Sequence, residues 1–501
     1  VNNINFPRIS YFCKNQKNMK LKKNYFQFSI FLIFLLFALI IRAYNINSED
    51  FWTDEIFAFF TSEPNISFKE TLIRTLSSNF NCLYDFLLKF FHSLFGYDVY
   101  TSRYFSLFIS FLSLITFALL LNKVSNFNSL IFGFFILSIN LFHIRYSIEV
   151  RSYILTFFLT TLFIYLNFRD EKQEEKLNFI KLFFIIFVAI LMVLSHAFTL
   201  LVLGSFVLYK IIKFIKFRKF SLFEVSLVFS LVLISSLYLF VYLPINIKFA
   251  DQLLGLSPHW IKQLKPSFYT NFYFSQYFGS RILGLLHLFV LFYLIYKFRL
   301  KFFRELNIYT FFLILLFFSY FIPIVYGYLF SPVLISRYIM FTLIPILFLL
   351  AHFTFQLSSK TTRYTIVVLI CFTSLINHTF YENTFKQFYT ETYPTKPQFK
   401  AALNTINKSG EKYLIVRNYS AKEKNTNEAY INYVKKYIEK KDLKLQYLNL
   451  ENENIPKSFW VINIRDTIKK DYIIPQKLIN YDIKKNIFFN SLEIILLSRK
   501  M

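Results

Sequence analysis

Two adjacent acidic residues near the N-terminus are the sharpest candidates for chemistry. Asp54 and Glu55 lie in the stretch FWTDEIFAFF, residues 51–60, where aromatic and aliphatic neighbours make an ionised carboxylate costly. A carboxylate kept in such surroundings suits a general base or a metal ligand. The alternative is a helix start, with Thr53 or Asp54 as the N-cap and Glu55 in the first turn, because acidic residues are enriched there. The local sequence leaves both interpretations open.

A second group of ionisable side chains lies in the stretch HIRYSIEVRSY, residues 143–153. Glu149 stands there between Arg145 and Arg151, and arginine can bind phosphate oxygens through two parallel hydrogen bonds. Arg337, at the start of a late apolar segment, is a third arginine that invites an anionic partner. A salt-bridged turn, with arginines reaching toward lipid phosphate, would explain the same residues without catalysis.

These residues border apolar segments, and their setting is that of a membrane protein. Hydrophobic residues make up 55% of the 501-residue chain and charged residues 17%, with a mean hydropathy of +0.44, which excludes an ordinary cytosolic enzyme. A helix needs about 20 apolar residues to cross the hydrocarbon core. By this measure the sequence predicts eleven transmembrane helices, at 25–44, 104–122, 128–142, 152–168, 179–195, 197–215, 221–243, 282–296, 307–330, 334–352 and 364–380.

The distribution of basic residues predicts the orientation of these helices. Lys and Arg concentrate in the N-terminal segment and in alternate connections between the predicted spans. By the positive-inside rule the N-terminus is cytoplasmic and, with an odd number of spans, the C-terminus lies on the outer side. The net charge of +27 then reflects membrane topology, so no nucleic-acid partner is predicted.

The predicted fold is a polytopic α-helical membrane protein with a small α/β domain at its C-terminus. A basic cytoplasmic segment at 1–24 precedes the transmembrane domain at 25–380, and a soluble domain at 381–501 follows on the outer side. Short apolar runs such as YLIV at 413–416 alternate in this tail with a polar, helix-like stretch at 428–440, which favours an α/β arrangement.

Two long loops are predicted on the outer side. The first, at 45–102, contains two stretches with helical spacing of apolar residues that suit helices lying in the membrane interface. The second, at 244–281, is rich in aromatic residues and carries His259 and Trp260. These two residues are weaker candidates, as is His196 at a turn between spans, because a single histidine is more often structural.

Five sequence stretches, in chain order, resemble the bacterial membrane glycosyltransferases of the GT-C superfamily. They are FWTDEIFAFF, NCLYDFLLKFFHSLFG, SRYFSLFISFLSL, FHIRYSIEVRSYIL and SRYIMFTLIPILFLLA. The chain looks like the branch related to glycosyltransferase family 39, which includes protein O-mannosyltransferases and lipid A aminoarabinose transferases. The resemblance covers residues 25–355 and the soluble outer tail fits it. The string YSIEVRSY, residues 146–153, is its most specific part.

The resemblance implies an enzyme of the bacterial inner membrane. It would transfer a hexosyl or pentosyl group from a polyprenyl-phosphate sugar to a lipid, glycan or protein acceptor at the outer, periplasmic face, in a single displacement that inverts the anomeric carbon. Carried over by position, Asp54 would be the general base and Glu55 its neighbour. Glu149 would be a second acidic group, which binds a metal or orients the substrate.

The arginines and several aromatic residues complete the implied site. Arg151, with Arg145 and Arg337, would hold the donor phosphate, because cationic groups stabilise the charge that develops on a leaving phosphate. The implied substrate-binding residues are Tyr84, Tyr146, Tyr153, Tyr338 and Trp260.

One motif of the family is incomplete in this chain. The family usually carries His-Pro-Pro-Leu-Tyr in the first outer loop, and only the Leu-Tyr pair that ends in Tyr84 remains. His92 or His259 could replace the lost histidine. No cofactor is certain, and a divalent metal such as Mg, Mn or Zn stays open, with Asp54, Glu149 and His259 as possible ligands.

Other classes of membrane protein remain as alternatives. A transporter or flippase would carry ionisable residues near the middle of its spans. A polymerase or ligase of surface glycans would place its key groups in a late outer loop, and a membrane glycan-assembly protein without transferase activity would need none of them. The early position of Asp54 and Glu55 favours the glycosyltransferase.

Overall fold

Helices form at every apolar segment that the sequence predicts to span the membrane. The structure, a computed structural model, describes residues 8–44, 46, 48–78, 81–168, 178–218, 221–245, 276–382, 385, 388, 396–417, 424–439, 443–447, 456–464 and 480–500. In chain order the helices are α1 (Arg8–Ala43), α2 (Thr53–Thr61), α3 (Phe68–Ser78), α4 (Leu83–Phe95), α5 (Val99–Val124), α6 (Phe127–Ser138), α7 (Leu141–Ser147), α8 (Tyr153–Asn167), α9 (Phe179–Ser195), α10 (Thr199–Phe217), α11 (Leu222–Leu237), α12 (Arg281–Lys297), α13 (Arg299–Arg304), α14 (Ile308–Leu329), α15 (Leu343–Thr354), α16 (Lys360–Ile376), α17 (Phe399–Asn407) and α18 (Lys424–Lys435).

Several of these helices are suited to cross a membrane, so the chain is a multi-pass membrane protein. Within the described residues, six helical segments are long and apolar enough by length and composition, and a seventh is added if α6 and α7 form one broken span. Helices α8 and α9 are apolar but shorter. The predicted number of eleven spans exceeds this count and stays a prediction.

Helices α6 and α7 meet at an angle of 61°, and polar side chains hold this bend. Asn140 caps α7 by accepting a hydrogen bond from the backbone N–H of His143 at 2.9 Å. The last carbonyls of α6, those of Leu137 and Ser138, accept hydrogen bonds from the Arg42 guanidinium at 3.3 and 2.8 Å. Arg42 is only 1% exposed, and a cation is favourable at the negative end of a helix. A buried charge therefore fixes the direction in which the chain leaves α6.

The predicted first outer loop folds into the three short helices α2, α3 and α4. The two stretches with helical apolar spacing correspond to α3 and α4. Phe68 on α3 and Phe90, Leu94 and Phe95 on α4 are exposed, whereas Tyr84 on α4 is buried. Exposed apolar side chains on amphipathic helices suit the membrane interface, and that location stays a prediction.

A five-stranded mixed sheet lies near the C-terminus. Its spatial order is β2-β1-β3-β5-β4. Strand β1 pairs in parallel with β2 and β3, and β5 pairs antiparallel with β3 and β4. The apolar runs of the tail form three of these strands, while its status as a separate soluble domain on the outer side stays a prediction. The strands are β1 (Tyr413–Arg417), β2 (Lys444–Tyr447), β3 (Ser458–Ile464), β4 (Tyr481–Phe489) and β5 (Leu492–Arg499).

Replacing Arg42 by leucine is expected to destabilise the helical bundle. The substitution leaves the buried carbonyls of Leu137 and Ser138 without their charged donor, and such a loss costs about 3 kcal/mol, the order of one or two hydrogen bonds to a charged group. The midpoint of thermal unfolding of the detergent-purified protein would fall well below that of the wild type. Arg299→Leu, at an exposed arginine, is the control. Equal midpoints for Arg42→Leu and wild type would contradict the role of Arg42.

Candidate active site

Asp54 and Glu55 occupy the first turn of α2 but have different surroundings. The helix begins at Thr53, and the Glu55 carboxylate accepts a hydrogen bond from the backbone N–H of Trp52 at 3.3 Å. Acidic side chains are favourable there because they face the positive end of the helix. The helix-start interpretation is therefore correct for Glu55, although neither Thr53 nor Asp54 is the N-cap residue, which is Trp52. The Asp54 side chain is 29% exposed and has other partners.

Two arginines from distant parts of the sequence meet the Asp54 carboxylate. Arg337 Nη2 lies 3.5 Å and Arg151 Nη2 3.9 Å from Asp54 Oδ2. Arg151 also donates to the backbone carbonyl of Asp54 at 3.4 Å. Both arginine side chains are mostly buried, at 15% and 16% exposure. One half-buried carboxylate thus lies beside two guanidinium groups, and these three groups together carry a net positive charge.

Aromatic rings enclose the arginines. The Arg337 guanidinium lies 4.9 Å from the centre of the Trp52 ring and 5.5 Å from that of Tyr153. Tyr153 stacks on Tyr338 at 6.2 Å and meets the edge of Tyr146 at 5.3 Å. Rings of this kind attract cations and form flat surfaces on which a sugar can lie. Three of the tyrosines expected to bind substrate are therefore neighbours of the two arginines.

Glu55 is completely buried and bound to three donors. Its Oε1 accepts the backbone N–H of Val150 at 3.0 Å, and its Oε2 lies 2.6 Å from Lys396 Nζ. The Trp52 N–H is the third donor. The Glu55 carboxylate is closed off from solvent and links α2 to the segment before α8 and to the chain before α17.

Glu149 lies beside this group in the segment between α7 and α8. It is 3% exposed, and its Oε1 is buried with no hydrogen-bond partner in the described part of the chain. Its backbone carbonyl accepts a hydrogen bond from Ser106 Oγ at 2.9 Å, and Ser106 is 2.7 Å from the hydroxyl of Tyr84. Tyr84 is therefore a buried residue that contacts the backbone of Glu149 through Ser106.

The two buried carboxyl groups have opposite pKa shifts. Burial alone would raise the pKa of Glu55, but the charge of Lys396, followed by that of Arg103, lowers it below its ordinary value. Burial raises the pKa of Glu149 to about 7; Lys396 opposes this increase and the negative charge of Glu55 adds to it. These shifts favour the ionised form of Glu55 and the protonated form of Glu149.

The remaining candidate residues lie at the edge of this cluster or outside the described residues. Arg145 is exposed on α7, 5.9 Å from the ring of the adjacent Tyr146. His92 is buried, and both of its ring nitrogens contact other groups, Ser62 O at 3.1 Å and Ser102 Oγ at 2.8 Å. His92 is therefore not placed to replace the lost histidine of the family motif. His259 and Trp260 lie outside the residues that the structure describes.

The donor set around Asp54 fits an anion better than a divalent metal. No group of three or more His, Cys, Asp or Glu side chains that could hold a metal ion occurs among the described residues. Asp54 is already paired with two arginines, and Glu149 lies near Lys396, so cationic groups surround both of the possible carboxylate ligands. Oxygen ligands of Mg²⁺ or Mn²⁺ are usually free carboxylates, and those of this site are compensated.

Sequence reasoning missed Lys396 and gave His196 little weight. Lys396 stands alone in a basic tail, and no local pattern relates it to Glu55. His196 lies between α9 and α10, with its ring 4.9 Å from that of Tyr338, and its Nδ1 accepts the backbone N–H of Phe198 at 3.2 Å. Burial, followed by the charge of the nearby arginines, lowers the pKa of His196 to about 3, so the ring is neutral.

Two solved structures resemble this chain in fold. The apo structure of ArnT from Cupriavidus metallidurans matches with a TM-score of 0.56 at 10% sequence identity, over 93% of this chain and 97% of ArnT. The archaeal oligosaccharyltransferase AglB from Archaeoglobus fulgidus, in complex with an inhibitory peptide and a dolichol-phosphate, matches with a TM-score of 0.50 at 11% identity. That match covers 82% of this chain and 64% of AglB, so the chain spans less than two thirds of the length of AglB.

The similarity is one of structure rather than of sequence. No protein-family profile matches the chain, and no curated protein matches its sequence. At such low identity the two solved structures establish the fold alone. The resemblance seen in the sequence motifs is confirmed at the level of the fold, which this chain shares with ArnT and AglB, both GT-C glycosyltransferases.

Proposed function

We propose that the protein transfers a sugar from a polyprenyl-phosphate donor to a hydroxyl-bearing acceptor, with inversion at the anomeric carbon. The observation that carries this proposal is the Asp54 carboxylate, partly exposed and held beside the buried guanidinium groups of Arg151 and Arg337. An inverting transfer with an anionic leaving group needs a base for the acceptor on one face of the sugar and cationic groups for the phosphate on the other, and this site supplies groups of both kinds. The acceptor, whether lipid, glycan or protein, is left to experiment.

Each group has a part in a single displacement. Asp54 takes the proton of the acceptor hydroxyl while the acceptor oxygen forms a bond to the anomeric carbon. The bond from that carbon to the phosphate oxygen breaks, and the lipid phosphate leaves with the electron pair. Arg151 and Arg337 stabilise the charge that grows on the phosphate, in surroundings where burial strengthens electrostatic interactions. No covalent sugar-enzyme intermediate is needed.

Charge and the membrane setting support the proposed donor class. Two mostly buried arginines and a single half-buried carboxylate leave net positive charge for a phosphate. Arg151 Nε and Trp52 Nε1 are buried donors with no hydrogen-bond partner in the described residues, and oxygen-rich ligands satisfy such donors. The AglB structure that shares this fold was solved with a dolichol-phosphate, which is a lipid phosphate of the same kind.

The site is proposed to face the periplasm of a bacterial inner membrane. Many basic residues lie at the helix ends remote from Asp54, among them Lys123 on α5, Lys216 on α10, Lys297 on α12 and Lys360 on α16. The positive-inside rule assigns that side to the cytoplasm, together with the N-terminus. Asp54 and the C-terminal sheet then lie on the outer side.

Asp54→Asn is expected to abolish sugar transfer. Removing a general base lowers the rate by about 10²-fold or more, and asparagine keeps the size of the side chain. Membranes containing matched amounts of each protein would receive radiolabelled polyprenyl-phosphate sugars, and label in the acceptor would be counted. Glu70→Gln, at an exposed acidic side chain of α3 that pairs with Arg74 instead of Arg151 or Arg337, is the control. Equal transfer by Asp54→Asn and wild type would refute the assignment; no transfer by wild type with any donor would favour a transporter or a non-catalytic assembly protein.

Arg337→Lys is expected to raise the KM for the donor. Lysine keeps the charge but cannot bind phosphate through two parallel hydrogen bonds, and losing one charged hydrogen bond corresponds to about a ten-fold weaker interaction. The control is Arg299→Lys at an arginine that stacks on Tyr296. Initial rates measured over a range of donor concentrations would test this, and an unchanged KM would argue against phosphate binding by Arg337.

Glu149 should make stability depend on pH near neutrality. Its pKa is raised on folding, so its contribution to stability is fully present below the ordinary value of about 4.5 and is lost as the pH rises through about 7. Over that window the unfolding midpoint of the wild type should therefore fall relative to that of Glu149→Gln, which lacks this titration. Glu70→Gln should keep the wild-type slope. Parallel curves for Glu149→Gln and wild type would show that Glu149 does not titrate in this range.

A further inference from the structure

Helices α17 and α18 form hydrogen bonds to the segment just before Asp54. Tyr433 on α18 accepts a hydrogen bond from the backbone N–H of Phe51 at 3.0 Å, and Tyr430 lies 2.8 Å from the hydroxyl of Thr53. The backbone N–H of Lys400, on α17, donates to the side chain of Asp50 at 2.8 Å. Residues 50–53 are thus held in place by contacts to two helices of the C-terminal region.

Lys396 adds the only described ion pair to Glu55, and it is short. Lys396 Nζ lies 2.6 Å from Glu55 Oε2, and the two side chains are 16% and 0% exposed. Water screens such a pair very little, so its loss leaves an uncompensated buried charge. The other charged groups that act on Glu55 from packed elements are Arg103 of α5, which lowers its pKa, and the neighbouring Glu149.

The positions of Asp54 and Arg151 both depend on Glu55. Asp54 precedes it directly in the first turn of α2. The other carboxylate oxygen of Glu55 holds the backbone of Val150, and Arg151 is the next residue. A displacement of the Glu55 carboxylate would therefore move the base and one phosphate-binding arginine relative to each other. Misplacement by about 1 Å can cost about 10²-fold in rate.

We propose that Lys396 is a positioning residue of the transfer reaction, which fixes Asp54 and Arg151 through Glu55. The inference rests on the proposed function, and it assigns a mechanistic part to the C-terminal region that neither the motifs nor the fold indicates. Lys396 acts on Glu55 and not on the substrate. It acts by keeping the Glu55 carboxylate ionised and in place between its two backbone donors.

The test compares Lys396→Met, Lys396→Arg, Glu55→Gln and the double variant that combines Lys396→Met with Glu55→Gln. Lys396→Met should lower kcat about 10- to 100-fold and shift the acid limb of the kcat profile to higher pH, because Glu55 then ionises less readily. Lys396→Arg should keep most of the activity. The double variant should be more active than the product of the two single effects, since it removes both members of a buried pair.

Controls separate this inference from the proposed function. Lys412→Met, at an exposed lysine before β1, should behave like wild type, and Asp54→Asn should be inactive. If Asp54→Asn is inactive while Lys396→Met keeps the wild-type kcat and pH profile, the inference fails and the function stands. If wild type transfers no sugar, the shift in unfolding midpoint on adding polyprenyl phosphate is measured instead. Lys396→Met should then bind more weakly than Lys412→Met, and equal binding would overturn the inference.

Discussion

Taking the Glu55 carboxylate out of water costs several kcal/mol unless donors replace its hydration. Lys396 and the backbone N–H groups of Trp52 and Val150 supply that replacement. Because each donor comes from a different segment, the cost of burying one charge is offset only when all three segments are in place. This requirement gives the segments around Trp52, Val150 and Lys396 a defined geometry, although they lie outside the helices, where backbone conformation is otherwise least constrained.

Asp54, the neighbour of Glu55 in the sequence, is only half-buried. Asp54 remains accessible, and its distances of 3.5 and 3.9 Å to Arg337 and Arg151 are long for ion pairs, so the arginines keep much of their capacity to bind another anion. The aromatic rings of Trp52 and Tyr153 exclude water beside them and leave the charge in a low-dielectric setting. Of the two adjacent acidic residues, Glu55 is buried and bound by its donors, and Asp54 stays accessible for the proposed reaction.

Several features could be predicted because they have local signatures in the sequence. Continuous apolar runs indicate membrane helices, and alternating apolar runs such as YLIV form strands. The proximity of Asp54, Arg151 and Arg337 came from the family resemblance, since spacing along the chain contains no information on contacts between segments. Lys396 could not be found, because one lysine in a basic tail has no periodicity and its partner is far away in sequence. The bend before α7 was also missed: it contains neither Pro nor Gly and depends on the distant Arg42.

The contacts made by α18 have a consequence for biosynthesis. The hydrogen bonds between Phe51 and Tyr433 and between Thr53 and Tyr430 join positions 382 and 377 apart, and the Glu55–Lys396 pair joins positions 341 apart. A chain that is still being synthesised has inserted its early helices long before these partners leave the ribosome. During that interval the segment around Asp54 lacks its anchors. The order of translation therefore leaves residues 51–55 without these contacts until residues 396–433 have been made.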